Sequence, residues 1–313
     1  MGLILNVGDD VEKIMAVSKK VVRTFSGGEF FLFQFTDKDG VLKGVMWDPP
    51  SGSDAIRAGD VVRVSGTIQD YKGSIQIKVY DIEKLESAEY DPAMFLPSSS
   101  KPVDEIYSEI QRIISNVDNK YLKLLLEKIF DNGSFRERLI SAPAAKGWHH
   151  AYIGGLVEHI YDMLQMAIKA AGIYPQVDDD LLIAGVILHD LGKLQELKVT
   201  NHIEYSDRGR LLGHITLGVE FLNEYIRGIE GFPDDLEMKI KHMILSHHGK
   251  LEHGSPVRPM TVEALLLSYI DNMDAQVRGT LNIFEDHNKE DGNWTEYVRL
   301  LDRFFYYDKE ETD

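Results

Sequence analysis

The sequence predicts a multidomain chain of α and β class: a small N-terminal β-barrel followed by an all-α domain. Three observations predict it. Residues 13–86 alternate apolar and polar positions with a period of two. From residue 104 onward, apolar residues recur at three- and four-residue spacing. Between them, the stretch 88–103 holds three prolines and three consecutive serines, the composition of a linker. The expected boundaries are therefore 1–87 for the barrel, 88–103 for the linker and 104–313 for the helical domain. A length of 313 residues fits roughly two domains of about 150 residues.

The barrel elements follow in order. EFFLFQF at 29–35 puts Phe31, Phe33 and Phe35 on one face. Asp39-Gly40 is a turn signal before VLKGVMW at 41–47, and a small helix is expected near 53–57. Gly59-Asp60 opens VVRVSGTIQ, and Tyr71-Lys72-Gly73 turns the chain into SIQIKVYDI. In that run Ile75, Ile77 and Val79 share one face, and Gln76, Lys78 and Tyr80 the other. Five short strands of this kind predict a small closed barrel. In the second half, stretches such as EIYSEIQRII, LVEHIYDMLQMAI and VEALLLSYIDNMDAQV predict about eight or nine helices and no convincing strand.

Composition narrows the classes. No uncharged apolar run approaches about 18 residues, so no membrane span is expected. The opening MGLILNVGDDVEK lacks a basic region and makes a poor signal peptide. The absence of cysteine excludes disulfides and thiolate metal sites, and a cytoplasmic location fits. The formal net charge of −17 argues against a non-specific nucleic-acid binder. Residues 1–100 carry −4 and residues 101–313 carry −13, so an anionic partner would have to be recognised by local charge.

The stretch GVILHDLGKLQEL at 185–197 supplies such a place. The helix before it is apolar on every side, which marks a buried helix. It ends in His189 and Asp190, with Lys193 one turn on. His159 shares a stripe with Leu156, Met163 and Met166. His214 follows Leu211 and Leu212, with Gly218 and Phe221 on the same side. Asp271 lies on the apolar side with Leu267 and Ala264. His247-His248 ends a helix, and both can face one centre only where the chain unwinds, which Gly249 permits. A lone histidine on an apolar face is an ordinary core residue. Several helices burying His or Asp toward one core need a cation, because buried carboxylates require partners. One or two divalent ions satisfy the whole set. His202, His253 and His287 lie in polar surroundings and His242 at another helix angle, so these are read as solvated or surface residues. His149 and His150 either sit at the mouth of the site, where His150 touches substrate, or cap the following helix.

The order His159, His189-Asp190, Asp271 resembles the HD superfamily of metal-dependent phosphohydrolases, and HITLG at His214 and SHHG at His247 and His248 extend it. In families that have such extra histidines they supply a second metal position. Nitrogen and oxygen ligands suit Mn, Fe, Co, Ni or Zn. With two ions, a metal-bound hydroxide is the expected nucleophile, Asp190 the bridging ligand, and Lys193 a neutraliser of phosphate charge. The alternatives for Lys193 are an ion pair with Glu196 or an ordinary surface lysine. The passage GDVVRVSGTIQDYKGSIQI resembles an OB-fold nucleic-acid-binding domain. Such barrels bind single strands by stacking and a basic groove. Trp47, Tyr71 and Tyr80 are then candidate platforms, with packing as the alternative for each, and Lys43, Lys72 and Lys78 candidate phosphate contacts.

Together, HHAYIGGLVEH, GVILHDLGK, EYSDRGRLLGHI, LSHHGKLEHGSPV and SYIDNMDA, downstream of the barrel, resemble the YhaM-type 3′→5′ exoribonucleases. The resemblance implies Mn²⁺-stimulated hydrolysis of single-stranded RNA from the 3′ end, with DNA as a further substrate, and adds Arg210 to the candidate substrate contacts. A homo-oligomer is compatible with it. Competing expectations are an HD-type phosphodiesterase or nucleotidase for small or cyclic nucleotides, and a non-catalytic OB-fold RNA-binding protein. The former is weakened because KLEHGSPVRP follows SHHG without a Gly-Tyr-Pro element; the latter predicts gaps among the ligands.

Overall fold

The structure is a computed structural model and describes residues 6–308 apart from 26, 39, 72, 87, 92, 93 and 287–291. Lys72 and His287 fall outside the described residues. The chain divides into two compact units, Met1–Ser98 with Val199–His202, and Ser99–Lys198 with Ile203–Asp313.

The first unit is a closed barrel of β1 (Asp10–Phe25), β2 (Gly28–Asp37), β3 (Gly40–Trp47), β4 (Val61–Tyr71) and β5 (Ser74–Lys84), in the order β1-β2-β3-β5-β4. All pairings are antiparallel except β3 with β5. Strand β1 is longer than expected because it serves two neighbours. Its first half pairs with β4, its second with β2, and a register shift between Val17 and Lys19 makes the corner. The alternating phenylalanines do fill the interior, with Phe31, Phe33 and Phe35 buried against Met15, Val62, Val64 and Ile77. On β5 the expected apolar face is only partly buried: Ile77 and Val79 are inside, and Ile75 at the hairpin end is exposed. The helix expected near 53–57 is a single 3-10 turn at Ser53–Ala55.

The stretch 88–103 is not uniform. Tyr90 and Phe95 pack on Ala16, Val61 and Leu85 of the barrel unit. Ser99 and Lys101 instead bind Glu158 and Asp162 of the helical unit.

The second unit comprises α1 (Val103–Ser115), α2 (Lys120–Phe130), α3 (Gly133–Ser141), α4 (Gly155–Ile173), α5 (Asp179–Leu188), the single turn α6 (Lys193–Glu196), α7 (Asp207–Ile226), α8 (Asp234–Ser246) and α9 (Val262–Asp286). The expectation of no strand here needs correction: β6 (Leu197–Val199) and β7 (Ile203–Tyr205) form a hairpin. Strands of three residues offer too few positions for an alternation to register. Helix α5 explains the architecture. Leu181, Leu182, Ala184, Val186, Ile187 and Leu188 are all buried, so it has no solvent face and packs against α2, α4, α8 and α9. Asp178 caps its start by accepting from the Leu181 amide at 2.9 Å.

Candidate metal centre

The ends and inner faces of α4, α5, α7, α8 and α9 bring their polar side chains to one point. His159 projects from α4, His189 and Asp190 follow α5, His214 lies in α7, His247 and His248 follow α8, and Asp271 lies in α9. Two glycines make the approach possible. A Cβ on Gly192 would stand 2.0 Å from the His214 carbonyl oxygen, so only glycine lets the HDLGK turn lie against α7. Gly213, at φ 71°, breaks α7 immediately before His214. That break corrects one premise of the sequence reading. Leu211 and Leu212 precede it and are exposed, so they do not share a buried stripe with His214.

Two groups form around one carboxylate. Asp190 Oδ2 lies 3.3 Å from His189 Nε2 and 3.6 Å from His159 Nε2. Asp271 Oδ1 closes this side, 3.5 Å from His159 Nε2 and 3.9 Å from His189 Nε2. The other oxygen, Asp190 Oδ1, lies 3.6 Å from both His214 Nε2 and His247 Nε2. His248 joins that second group, its ring 4.2 Å from the His247 ring and 5.1 Å from the His214 ring.

Each imidazole is held by its other nitrogen. His189 Nδ1 donates to the Val186 carbonyl and His247 Nδ1 to the Ile244 carbonyl, both at 2.7 Å. His248 Nδ1 donates to the His253 carbonyl at 2.9 Å. Carboxylates take the remaining two: His159 Nδ1 donates to Asp274 at 2.7 Å and His214 Nδ1 to Glu196 at 3.1 Å. Carbonyls and carboxylates only accept, so Nδ1 carries a proton in all five, and Nε2 is the nitrogen left to face the centre and ligate a cation.

His159 Nε2 and His189 Nε2 lie 3.4 Å apart, and Lys193 meets Asp190 Oδ2, but the other side of the cluster is unsatisfied. Asp190 Oδ1, His214 Nε2 and His247 Nε2 are buried without a hydrogen-bond partner. Orphaned buried acceptors pointing at one another call for a positive charge between them. The electrostatics agree. Burial opposes charge on Asp190 but is outweighed by the Lys193 ammonium and then His189, which hold the carboxyl well below the usual range. Burial likewise opposes charge on His159, yet its bonds to Asp271 and Asp274 outweigh it and raise its pKa to about 9. The pocket thus selects for positive charge at that ring, proton or metal ion alike. Burial, aided by His248, keeps His247 neutral and able to ligate. The donor set fits one or two divalent cations with nitrogen and oxygen preference.

Some candidate residues stand differently from expectation. Lys193 is neither a surface lysine nor Glu196's ion pair: its Nζ lies 2.5 Å from Asp190 Oδ2, and its side chain is 10% exposed. His150, a candidate substrate contact, has both ring nitrogens engaged within the protein. It is buried, with Nδ1 bonded to the Tyr152 hydroxyl at 2.8 Å and Nε2 to Asp274 at 3.0 Å. Its place is behind the centre, steadying Asp274. Arg210 is exposed, its guanidinium 5.9 Å from the Tyr205 ring, and it is not among the cluster. His242, expected at the surface, is half-buried and accepts from the Met260 amide. Sequence alone indicates no place for Asp274 at the centre, although it follows Asp271 by three residues, one helical turn, and it offers Glu196 only as a partner for Lys193. His149 has two ring nitrogens that are buried and unpartnered, and burial followed by Lys193 lowers its pKa to about 3.

On the barrel, Lys43, Gln76, Lys78 and Tyr80 lie on the outer face, where Lys43 pairs in register with Gln76. Tyr80 is 57% exposed, and its hydroxyl meets Thr67 Oγ1 at 2.9 Å. Lys78 Nζ lies 5.6 Å from the Tyr80 ring. Tyr71 is exposed at the end of β4. Trp47 is 46% exposed and stacks on Phe30 at 4.4 Å, so it is partly committed to packing.

A five-stranded barrel closed in this order, followed by helices presenting His…His-Asp…Asp to one centre, defines an HD-domain protein carrying an OB-fold module. The HD domain family model matches residues 156–276, and the family model described as an OB-fold nucleic acid binding domain matches residues 15–85. Whole-length relatives narrow this further. The chain is 33% identical to a protein of Bacillus velezensis named 3'-5' exoribonuclease YhaM, over 98% of this chain and 97% of that one. It is 34% identical to the like-named protein of Bacillus licheniformis and 32% identical to that of Bacillus subtilis strain 168, each over 98% and 97% of the two chains. The chain belongs to the YhaM family of 3'-5' exoribonucleases.

Proposed function

We propose that this protein is a divalent-metal-dependent 3′→5′ exoribonuclease that hydrolyses single-stranded RNA, with Mn²⁺ as its first-choice ion ahead of Fe, Co, Ni or Zn. The observation that carries the reading is the ring of five imidazole Nε2 atoms and the Asp271 carboxylate around Asp190, with buried acceptors left unpaired. His159, His189, Asp190 and Asp271 would hold one ion, and Asp190, His214, His247 and His248 the other. When bound, two such ions supply activation of water and neutralisation of charge on a phosphodiester.

The chain's own residues do the rest. Asp190 offers one carboxylate oxygen to each group and fixes their separation. Asp274 and Glu196 hold the tautomers of His159 and His214. Lys193, already at the edge of the centre, neutralises a non-bridging phosphate oxygen. The barrel takes the strand: Tyr80, Tyr71 and the exposed part of Trp47 stack on bases, and Lys43 and Lys78 contact phosphates. Substrate thus reaches an acidic protein through local positive charge.

The test is incubation of the purified protein with 5′-end-labelled single-stranded RNA, with Mn²⁺ or with chelator. A ladder shortening from the 3′ end with Mn²⁺ and intact RNA with chelator are expected. Intact RNA in both, alongside hydrolysis of a cyclic or mononucleotide phosphoester, would move the protein to the small-nucleotide reading.

A further inference from the structure

Within the helical unit, two cavities border the His/Asp cluster. The larger, about 510 Å³, is lined by Trp148, His149, Lys193, Asp271 and Arg303 among others. The smaller, about 210 Å³, is lined by Lys250, Pro259 and Tyr269 among others. His248, His253, Asn272 and Gln276 line both, so the cavities are branches that meet beside the cluster.

Their chemistry differs. The larger branch carries two fixed cations, Lys193 and Arg303, suited to backbone phosphates. The smaller presents a ring and an amide pair. Tyr269, Asn272 and Gln276 follow one another at three- and four-residue spacing along α9 and so share a face. Gln276 Nε2 donates to Asn272 Oδ1 at 2.9 Å. Among the described residues, this leaves the Asn272 amide as a donor and Gln276 Oε1 as an acceptor, side by side with no partner. An aromatic face beside an adjacent donor and acceptor is what a nucleobase engages, by stacking on its plane and hydrogen bonding on its edge.

We infer that the smaller branch seats the 3′-terminal nucleoside of the substrate, its base against Tyr269 and the Asn272–Gln276 amides and its 5′-phosphate at the His/Asp cluster. The upstream strand leaves through the larger branch past Lys193 and Arg303. This rests on the exoribonuclease reading. It also bears on attack at an end: a terminal nucleoside seated against Tyr269 presents its own 5′-phosphate to the cluster.

The experiment compares two single-stranded RNAs of identical sequence, one with an ordinary 3′-terminal nucleotide and one whose terminal ribose lacks its base. First-cleavage rates are measured against concentration with Mn²⁺, for wild type, Tyr269→Ala and Tyr269→Phe. Wild type should need about tenfold more of the abasic RNA, the loss of one stacked base. Tyr269→Ala should weaken use of ordinary RNA and bring the two substrates to within about twofold of each other, whereas Tyr269→Phe, which keeps the ring, should retain the preference. Equal use of both RNAs by wild type, or an undiminished preference in Tyr269→Ala, overturns the pocket assignment while leaving the exonuclease reading intact. Failure of wild type to shorten even the ordinary RNA overturns both.

Discussion

Replacing Asp274 by Asn tests whether the centre depends on groups that never touch the metal. Asp274 accepts from His159 at 2.7 Å and contacts His150 at 3.0 Å. The amide keeps the shape of the carboxylate but loses its charge. It also lets His159 reverse its tautomer, because an amide N–H can donate to Nδ1 and drive the proton to Nε2, where it blocks a ligand position. Loss of such a partner typically weakens metal binding 10- to 100-fold, or about 1.4–2.7 kcal/mol. Titration of the purified variant with Mn²⁺ by calorimetry, alongside wild type, measures it directly. Stability gives a second reading. Burial pushes the Asp274 carboxyl up, but its bonds to His150 and then His159 outweigh this and hold it far below the usual range. A depressed carboxyl contributes stability that is full above its unfolded pKa, about 3.9, and is lost as pH falls below it. The difference in denaturation midpoint between wild type and variant should therefore be largest near neutrality and shrink below about pH 4. A folded Asp274→Asn protein with wild-type Mn²⁺ affinity would refute the reasoning.

Other substitutions probe the remaining parts. Asp190→Ala should abolish RNA hydrolysis and also destabilise the fold by about 3–5 kcal/mol, because it leaves the Lys193 ammonium buried and unpaired; an unchanged melting temperature would show the pair to be unimportant. His189→Ala should abolish hydrolysis at a smaller cost in stability, and near-normal turnover would sink the metal-site assignment. Crystals grown with Mn²⁺ should give two anomalous peaks, one beside His159 and Asp271 and one beside His214, His247 and His248; a single peak refutes the binuclear proposal. Changing Lys78 and Tyr80 together to Ala should raise KM for long RNA more than it lowers kcat, and flatten the salt dependence of binding by about one phosphate contact. Equal affinity for long RNA in wild type and variant would remove these residues from the strand path.

The barrel was legible where burial follows a strict alternation, as at Phe31, Phe33 and Phe35. It was not legible in β1, whose 16 residues change partner at a bulge without any turn residue to announce it. The cluster was legible because its members interrupt apolar stripes, and a buried ionisable group is conspicuous against such a background. What sequence could not supply was the partner of each group. Lys193 has Glu196 three residues after it and Asp190 three residues before it, and only the tight HDLGK turn decides between them. His150 reads equally as a mouth residue or a helix cap, and neither reading shows that Tyr152 and Asp274 engage its two nitrogens. Asp274 and Glu196 look like ordinary charges of a helix surface, since nothing local shows that a ligand's ring reaches them.

Helices α5 and α8 both terminate at the cluster, with His189 and His247 as the residues that follow their last turns. Each ring is anchored to a carbonyl three residues back in its own helix, one of those the helix end leaves without a backbone partner. Two helix macrodipoles therefore point their negative ends at the same small volume, each contributing about 0.3–1 kcal/mol of attraction for a cation. This part of the field comes from neutral peptide groups. Acid cannot protonate it away, and no side-chain substitution can delete it. A variant stripped of one carboxylate should accordingly still concentrate divalent ions at this spot, weakly held but in the right place.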